Sequence, residues 1–285
     1  MLILLYKGIG MDVFEVLKII FLGIVEGITE WLPISSTGHM LLVDEFIKLK
    51  MSEAFKEMFF VVIQLGAILA VVVVFFNKML PFQLKDKQKP LWKKETLSLW
   101  LKVVVACIPG AIVTILFDDF IEANLHTSYV IAATLILYGI IFIVVEKLNK
   151  NKQAKVNDVT EISYKTALMI GLFQVLSIIP GTSRSGATII GALIIGVSRV
   201  AAAEFTFFLA VPVMFGLSFL KILKFGLAFT LTEFWALILG MAVAFVVSLL
   251  VIKFLMSYIK KKDFSVFGIY RIALGVIVLA YFLIF

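Results

Sequence analysis

The sequence predicts an all-α polytopic membrane protein with six transmembrane helices plus two re-entrant helix pairs, arranged as an inverted-topology repeat. Three observations carry this. The 285 residues are 62% hydrophobic and only 16% charged, against roughly 45–50% and 25% in soluble domains; mean hydropathy is +1.11. Six apolar runs approach the roughly 20 residues that cross a hydrocarbon core. Two further apolar regions are broken in the middle, and the two breaks look like copies of each other.

This composition excludes disordered, fibrous and ordinary soluble classes. The single Cys107 lies in an apolar run and excludes a disulfide framework, and two His leave no room for a multi-histidine metal site. The net charge of +7 suggests nucleic acid at first sight. In so apolar a chain it points instead to cytoplasmic loops and anionic headgroups, so no nucleic-acid partner is expected. No cleavable signal peptide is expected either, and translation could begin at Met11 as well as at Met1.

Taken in order, the spans are expected at 59–76, 98–117, 129–145, 205–220, 234–255 and 266–285. The first broken region, 13–47, contains Glu26, Glu30, Pro33 and the run Ser35-Ser36-Thr37-Gly38-His39. The second, 166–197, contains Pro180 and Gly181-Thr182-Ser183-Arg184-Ser185-Gly186. Each break leaves two arms of about 12–15 residues, too short to cross singly but suited to a helix that enters, turns and leaves on one side.

Lysines set the orientation. Lys78, Lys85, Lys87, Lys89, Lys93 and Lys94 crowd one loop; Lys147, Lys150, Lys152, Lys155 and Lys165 crowd another; Lys253 and Lys260–Lys262 form a third cluster. The segment 118–128 carries Asp118, Asp119 and Glu122 and no Lys or Arg, and His126 there reads as a solvated surface residue. Placing the basic loops in the cytoplasm puts both termini outside, with the first broken region entered from outside and the second from inside. Lys221 and Lys224 then fall on the outer side, against the rule. Gly23-Ile24-Val25-Glu26 aligns with Gly171-Leu172-Phe173-Gln174, and at the same offset Ser35-Ser36-Thr37-Gly38 aligns with Ser183-Arg184-Ser185-Gly186. A single membrane domain, 1–285, is therefore expected, with one repeat at about 12–145 and the other at about 162–285. Such repeats place ligands near the midplane, at broken helices.

The polar residues at those breaks carry chemistry. Glu26 and Glu30 share one helix face, and an ionisable group inside the membrane costs at least ~2.5 kcal/mol. They read as a pair that binds a hard cation or works as acid and base, or else as a helix end facing headgroups. Pro33 ends the first arm; Ser35, Ser36 and Thr37 cap the second, whose N-terminus is a ready anion site. His39, three residues after Ser36, can lie beside its hydroxyl, the requirement for an activated nucleophile; plain capping is the simpler account. Arg184 cannot shed its proton and suits phosphate oxygens, with the N–H groups of 183–186 closing on the same anion; a structural pair with a Glu is the alternative. Gln64 and Gln174, isolated polar residues in apolar surroundings, read as headgroup contacts or interhelical hydrogen bonds. Arg271, near the start of the last span, reads as snorkelling to the interface.

These residues also carry a resemblance. Glu26-Gly-Ile-Thr-Glu30-Trp-Leu-Pro-Ile-Ser-Ser-Thr-Gly-His39 and Pro180-Gly-Thr-Ser-Arg-Ser-Gly-Ala-Thr188 are similar to the two signatures of the bacterial undecaprenyl-pyrophosphate phosphatases, the bacitracin-resistance family. Val62-Ile-Gln64-Leu-Gly66-Ala-Ile-Leu-Ala70 and Tyr270-Arg271-Ile272 also look familial, so the likeness runs over nearly the whole chain. It implies an integral phosphatase of the bacterial inner membrane that converts undecaprenyl diphosphate to undecaprenyl phosphate, recycling the carrier lipid for peptidoglycan synthesis. It implies a divalent cation, Mg²⁺ or Ca²⁺, and a polyprenyl diphosphate lipid and the bilayer as partners. Oligomeric state stays open, with a homodimer one option.

Carried onto this chain, the resemblance implies catalytic Glu30, Ser36, His39 and Arg184, and a cation on Glu26 and Glu30. Ser35, Thr37, Gln64, Gln174, Ser183, Ser185, Gly186 and Thr188 are the expected substrate contacts. Ser36 is expected to attack the distal phosphorus with Glu30, directly or through His39, taking its proton; a water attacking directly is the competing route. The main rival function is a secondary transporter or flippase for a polyprenyl phosphate lipid, because broken helices at the midplane are also transporter features. A non-catalytic scaffold explains the buried charges poorly.

Overall fold

In the computed structural model, residues 11–82, 92–125 and 127–284 are described, with the side chains of 118–120, 122 and 123 excepted. Residues 1–10, Lys85, Lys87, Lys89 and His126 therefore lie outside the described residues, as do the side chains of Asp118, Asp119 and Glu122.

The described chain is helical, and its elements follow the apolar pattern. Asp12 caps α1 (Val13–Thr29) by accepting from the Phe14 N–H. A turn through Pro33 leads to α2 (Ser36–Phe46). The first span, Glu53–Val74, is two helices, α3 (Glu53–Val62) and α4 (Gln64–Val74), joined at Ile63. α5 (Lys94–Leu125) supplies the second span over Lys94–Phe117, and α6 (Ser128–Asn149) the third. α7 (Tyr164–Val175) runs into a short 3-10 turn, Leu176–Ile178, before the second break and α8 (Arg184–Ile195). The last three spans are α9 (Arg199–Phe225), α10 (Leu231–Ile259) and α11 (Ser265–Ile284). Among the described residues, six helices are thus long and apolar enough to cross a membrane, at the expected places, and the chain is a polytopic all-α membrane protein.

The outward faces of the spans are apolar. Ile115 is 81% exposed and Leu250 66%, which suits lipid and not water. Packing between helices relies on glycine. A Cβ on Gly139 of α6 would meet the Gly268 carbonyl oxygen of α11 at 2.6 Å, and one on Gly268 would meet the Gly139 oxygen at 2.7 Å. Small residues let the backbones of helices approach closely in lipid, where no hydrophobic force drives them together.

Several packing partners match when the two halves of the chain are exchanged. α1 lies on α10 and α7 on α5; α4 lies on α10 and α9 on α5; α6 packs on α11 and α9 on α3 and α4. The ends of each broken pair also meet. Lys50 N–H, just after α2, donates to Glu15 in the first turn of α1 at 2.9 Å. Val156, before α7, pairs with Val197, after α8.

The basic clusters that the sequence separates meet at one end of the bundle. Lys78 pairs with Glu204 near the start of α9, Arg199 with Glu146 at the end of α6, and Lys260 shares a cavity with Lys150, Lys152 and Lys155. Lys102 is buried there and donates to the Thr160 carbonyl. In the 158–161 turn, hydrogen bonds from the Thr160 N–H and hydroxyl hold the Asp158 carboxyl below its ordinary range. Lys221 contacts Glu57 at 3.9 Å, which offsets the charge that the lysine rule left unexplained.

Candidate active site

Both breaks end on the same backbone device. Ser35 precedes α2 with φ 73° and Ser183 precedes α8 with φ 70°. These are the only non-glycine residues of positive φ among those described, a conformation that costs of order 1–3 kcal/mol and gathers at functional sites. Each hydroxyl accepts from the N–H three residues on, Gly38 at 3.3 Å and Gly186 at 3.2 Å. The cap turns each helix start toward the other break.

There the acidic and basic motifs meet. Arg184 Nη2 donates to Glu30 Oε1 at 3.1 Å, and Ser36 Oγ donates to Glu30 Oε2 at 3.0 Å. Ser185 Oγ reaches the Glu30 carbonyl oxygen at 3.3 Å and lies 3.1 Å from Ser183 Oγ. The guanidinium is braced from behind: Nη1 donates to the Thr206 carbonyl of α9 at 2.9 Å, while Thr206 and Thr188 hydroxyls bond each other at 2.9 Å. Arg184 Nε is buried and without a partner, a donor left over for a ligand oxygen. Trp31, fully buried, packs edge-on against Phe207 at 5.2 Å and seats the first break against α9.

His39 is placed differently from expectation. Its Nδ1 lies 2.7 Å from the Ser35 carbonyl, and its Nε2 lies 2.8 Å from the Tyr270 hydroxyl, the two rings stacked at 5.6 Å. A carbonyl only accepts, so Nδ1 carries a proton, and in the neutral ring Nε2 then accepts from the Tyr270 hydroxyl. The Ser36 hydroxyl goes to Glu30, not to His39. The reason is the α2 cap: with the Ser35 backbone turned inside out, its carbonyl sits over the first turn and captures the imidazole.

Arg271 corrects a second expectation. It does not snorkel but is fully buried. Nη1 donates to the Pro33 carbonyl at 3.3 Å, and Nη2 to the Gly181 and Thr182 carbonyls at 2.8 and 2.9 Å; the Tyr138 ring faces it at 5.6 Å. It ties the two breaks together through backbone acceptors that helix termination left unpaired. Sequence reading missed this role, and that of Tyr270, because one basic residue near a helix start reads the same whether it turns in or out. The available signal was the adjacent Tyr-Arg pair in an otherwise apolar stretch.

The remaining expected contacts divide. Ser35, Ser183, Ser185, Gly186 and Thr188 are all at the breaks, mostly buried. Thr37 is exposed. Gln174 is buried, with Oε1 unpartnered and its amide nitrogen near Gly110; Gln64 is half-buried at the start of α4. Neither is hydrogen-bonded to Glu30, Ser36 or Arg184 among the described residues.

For a divalent cation the donors fit in part. Glu26, one turn from Glu30, is 1% exposed, and its Oε1 is buried without a hydrogen-bond partner. Two hard carboxylates suit Mg²⁺ or Ca²⁺ when substrate phosphate and water complete the shell. No cluster of three or more His, Cys, Asp or Glu that could hold a metal occurs among the described residues.

Comparison with known proteins identifies the family. Residues 19–277 match the model of the family described as bacitracin resistance protein BacA. The undecaprenyl-diphosphatase of Enterococcus faecalis is 72% identical over 270 residues, which cover 95% of this chain and 98% of that one. The undecaprenyl-diphosphatase of Lachnoclostridium phytofermentans is 64% identical over 274 residues, 96% and 99% of the two chains; that of Desulfitobacterium hafniense is 60% identical over 273, 95% and 98%. A family match over most of the length, on the segments that build the buried cluster, places the chain in the BacA bacitracin-resistance family.

Proposed function

We propose that this chain is a multi-pass phosphatase of the bacterial inner membrane that hydrolyses undecaprenyl diphosphate to undecaprenyl phosphate and inorganic phosphate. This recycles the carrier lipid for peptidoglycan synthesis and confers bacitracin resistance. The observation that supports the reading is the Ser36–Glu30–Arg184 chain of hydrogen bonds, a hydroxyl, a carboxylate and a guanidinium that suit the roles of nucleophile, base and phosphate-binding cation. The names of relatives spanning nearly the whole chain support the substrate.

In this mechanism Arg184, through Nε and the N–H groups that open α8, holds the distal phosphoryl oxygens, where charge spreads in the transition state. Ser36 Oγ attacks the distal phosphorus as its proton passes to Glu30 Oε2. The bond to the bridging oxygen breaks, and undecaprenyl phosphate leaves. A water molecule then cleaves the phosphoserine, releasing phosphate and restoring the Ser36 hydroxyl. Once substrate displaces the Tyr270 hydroxyl, His39 takes up a proton from solvent on Nε2, with its Nδ1–H still on the Ser35 carbonyl, and donates the Nε2 proton to the leaving oxygen. Glu26 and Glu30 are the residues to hold a divalent cation, which neutralises diphosphate charge when bound.

The meeting ends of the two broken pairs, and the matched packing of the halves, support re-entrant pairs within an inverted repeat over about 12–145 and 162–285. The test is phosphate release from undecaprenyl diphosphate by purified protein in detergent, with and without chelator, on wild type and Arg184→Ala. Release that depends on Arg184 supports the enzyme. Gradient-driven lipid transport without release overturns it in favour of a carrier.

A further inference from the structure

A cavity of about 640 Å³ lies at the lysine-rich end of the bundle. It is bounded by the end of α6, the following loop, the end of α8, the first turn of α9 and the end of α10, and none of Glu26, Glu30, Ser36, His39 or Arg184 lines it. Its lining carries Lys150, Lys152, Lys155, Lys260 and Arg199 against one carboxylate, Glu146. That carboxylate is already committed: Arg199 Nε donates to both of its oxygens at 3.0 and 3.1 Å, and the Phe264 N–H donates at 3.0 Å. None of the four lysines forms an ion pair among the described residues.

Four like charges around one cavity repel each other, and the fold gives nothing back for holding them there. One of them is also held in place. The Lys155 N–H donates to the Gly196 carbonyl at 2.8 Å, and its stem lies on Gly196, which ends α8 at φ +98°. Leu193, Ile194, Ile195 and Ile259 form an apolar wall beside the polar Asn149, Gln153 and Ser198, and Ile194 is 53% exposed at its edge. Ammonium groups beside an apolar wall at the membrane edge match a phosphate joined to acyl chains.

We propose that this cavity binds a phosphate-bearing anion, in the form of an anionic phospholipid headgroup or of free phosphate. It is a second anion site, separate from the one at the two helix breaks. Lys150, Lys155 and Lys260 supply the charge, and the Ile194 side accommodates the upper acyl chain when the anion is a lipid.

The full-length protein in detergent is titrated with phosphatidylglycerol, with phosphatidylcholine and with inorganic phosphate, and adducts are counted by native mass spectrometry. Wild type is expected to retain phosphatidylglycerol in preference to phosphatidylcholine. Lys150→Gln/Lys155→Gln/Lys260→Gln is expected to lower that retention about 100-fold, at roughly fivefold per basic residue. Lys147→Gln/Lys253→Gln/Lys261→Gln, outside the lining but equal in net charge, is expected to keep it. Lysine-dependent retention of inorganic phosphate, with no preference between the lipids, supports the same site with free phosphate as its ligand. Equal retention of both lipids with no phosphate adduct overturns the proposal, as does equal loss in the two variants, which traces binding to overall charge. Phosphate release in detergent is unchanged in the cavity variant, so this outcome is independent of the phosphatase reading.

Discussion

The carboxylate of Glu30 and the guanidinium of Arg184, 154 positions apart in sequence, meet at 3.1 Å with both side chains about nine-tenths buried. Each offsets part of the desolvation penalty of the other in the resting protein, and in the proposed mechanism Arg184 also holds the phosphoryl oxygens. Arg184→Ala is therefore expected to lower phosphate release by about 10²–10³-fold. Because one buried charge is left alone, it also destabilises the fold by about 3–5 kcal/mol. Arg184→Lys keeps the charge but not the fork; it should recover the thermal stability and not the rate, measured by release assay and thermal unfolding side by side.

Ser36 donates to Glu30 and not to His39. Ser36→Ala should abolish an acid-stable phosphoserine adduct in quench experiments and lower turnover by at least about 10²-fold. Retention of most turnover, with no adduct trapped in wild type, supports direct attack by water instead. Glu30→Gln should impair the rate in either case.

Tyr270 holds His39 Nε2 at 2.8 Å with the rings stacked. Tyr270→Phe keeps the stack and loses only the hydroxyl. It should change turnover by less than about tenfold, whereas His39→Ala should cost about 10²-fold or more. Equal losses would make the hydroxyl itself the group that meets substrate.

Arg271 joins the Pro33 carbonyl to those of Gly181 and Thr182 from a fully buried position. Arg271→Met leaves three carbonyls without donors, each costing about 1–3 kcal/mol. The expected result is a large fall in thermal stability together with loss of activity. A variant as stable as wild type refutes the clamp.

Gly139 and Gly268 lie backbone to backbone, and a Cβ on either would come within 2.7 Å of the other's carbonyl. Gly139→Val should separate α6 from α11 and lower stability by about 2 kcal/mol or more. Gly216, where an added methyl would meet no atom within 4 Å, should accept Ala without loss in the same assay.

Much of this protein was legible in its sequence, because the signals were local. The six spans follow from runs of apolar residues, and the breaks follow from Pro33 and Pro180 with their Ser-rich caps. Even the offset that aligns Ser35 with Ser183 proved to have a backbone counterpart, since both adopt the same rare φ. That the charges at the breaks would be paired or ligand-bound was readable at the same level: charges buried in apolar segments need partners or a ligand. The tertiary structure decided who those partners are. Helical periodicity states which face a side chain is on, and nothing about what packs against that face from a hundred residues away. Hence the Ser36 hydroxyl turned to Glu30, the Ser35 carbonyl took the imidazole of His39, and Arg271 pointed inward, each choice set by how α1, α8 and α11 converge on the two interrupted turns.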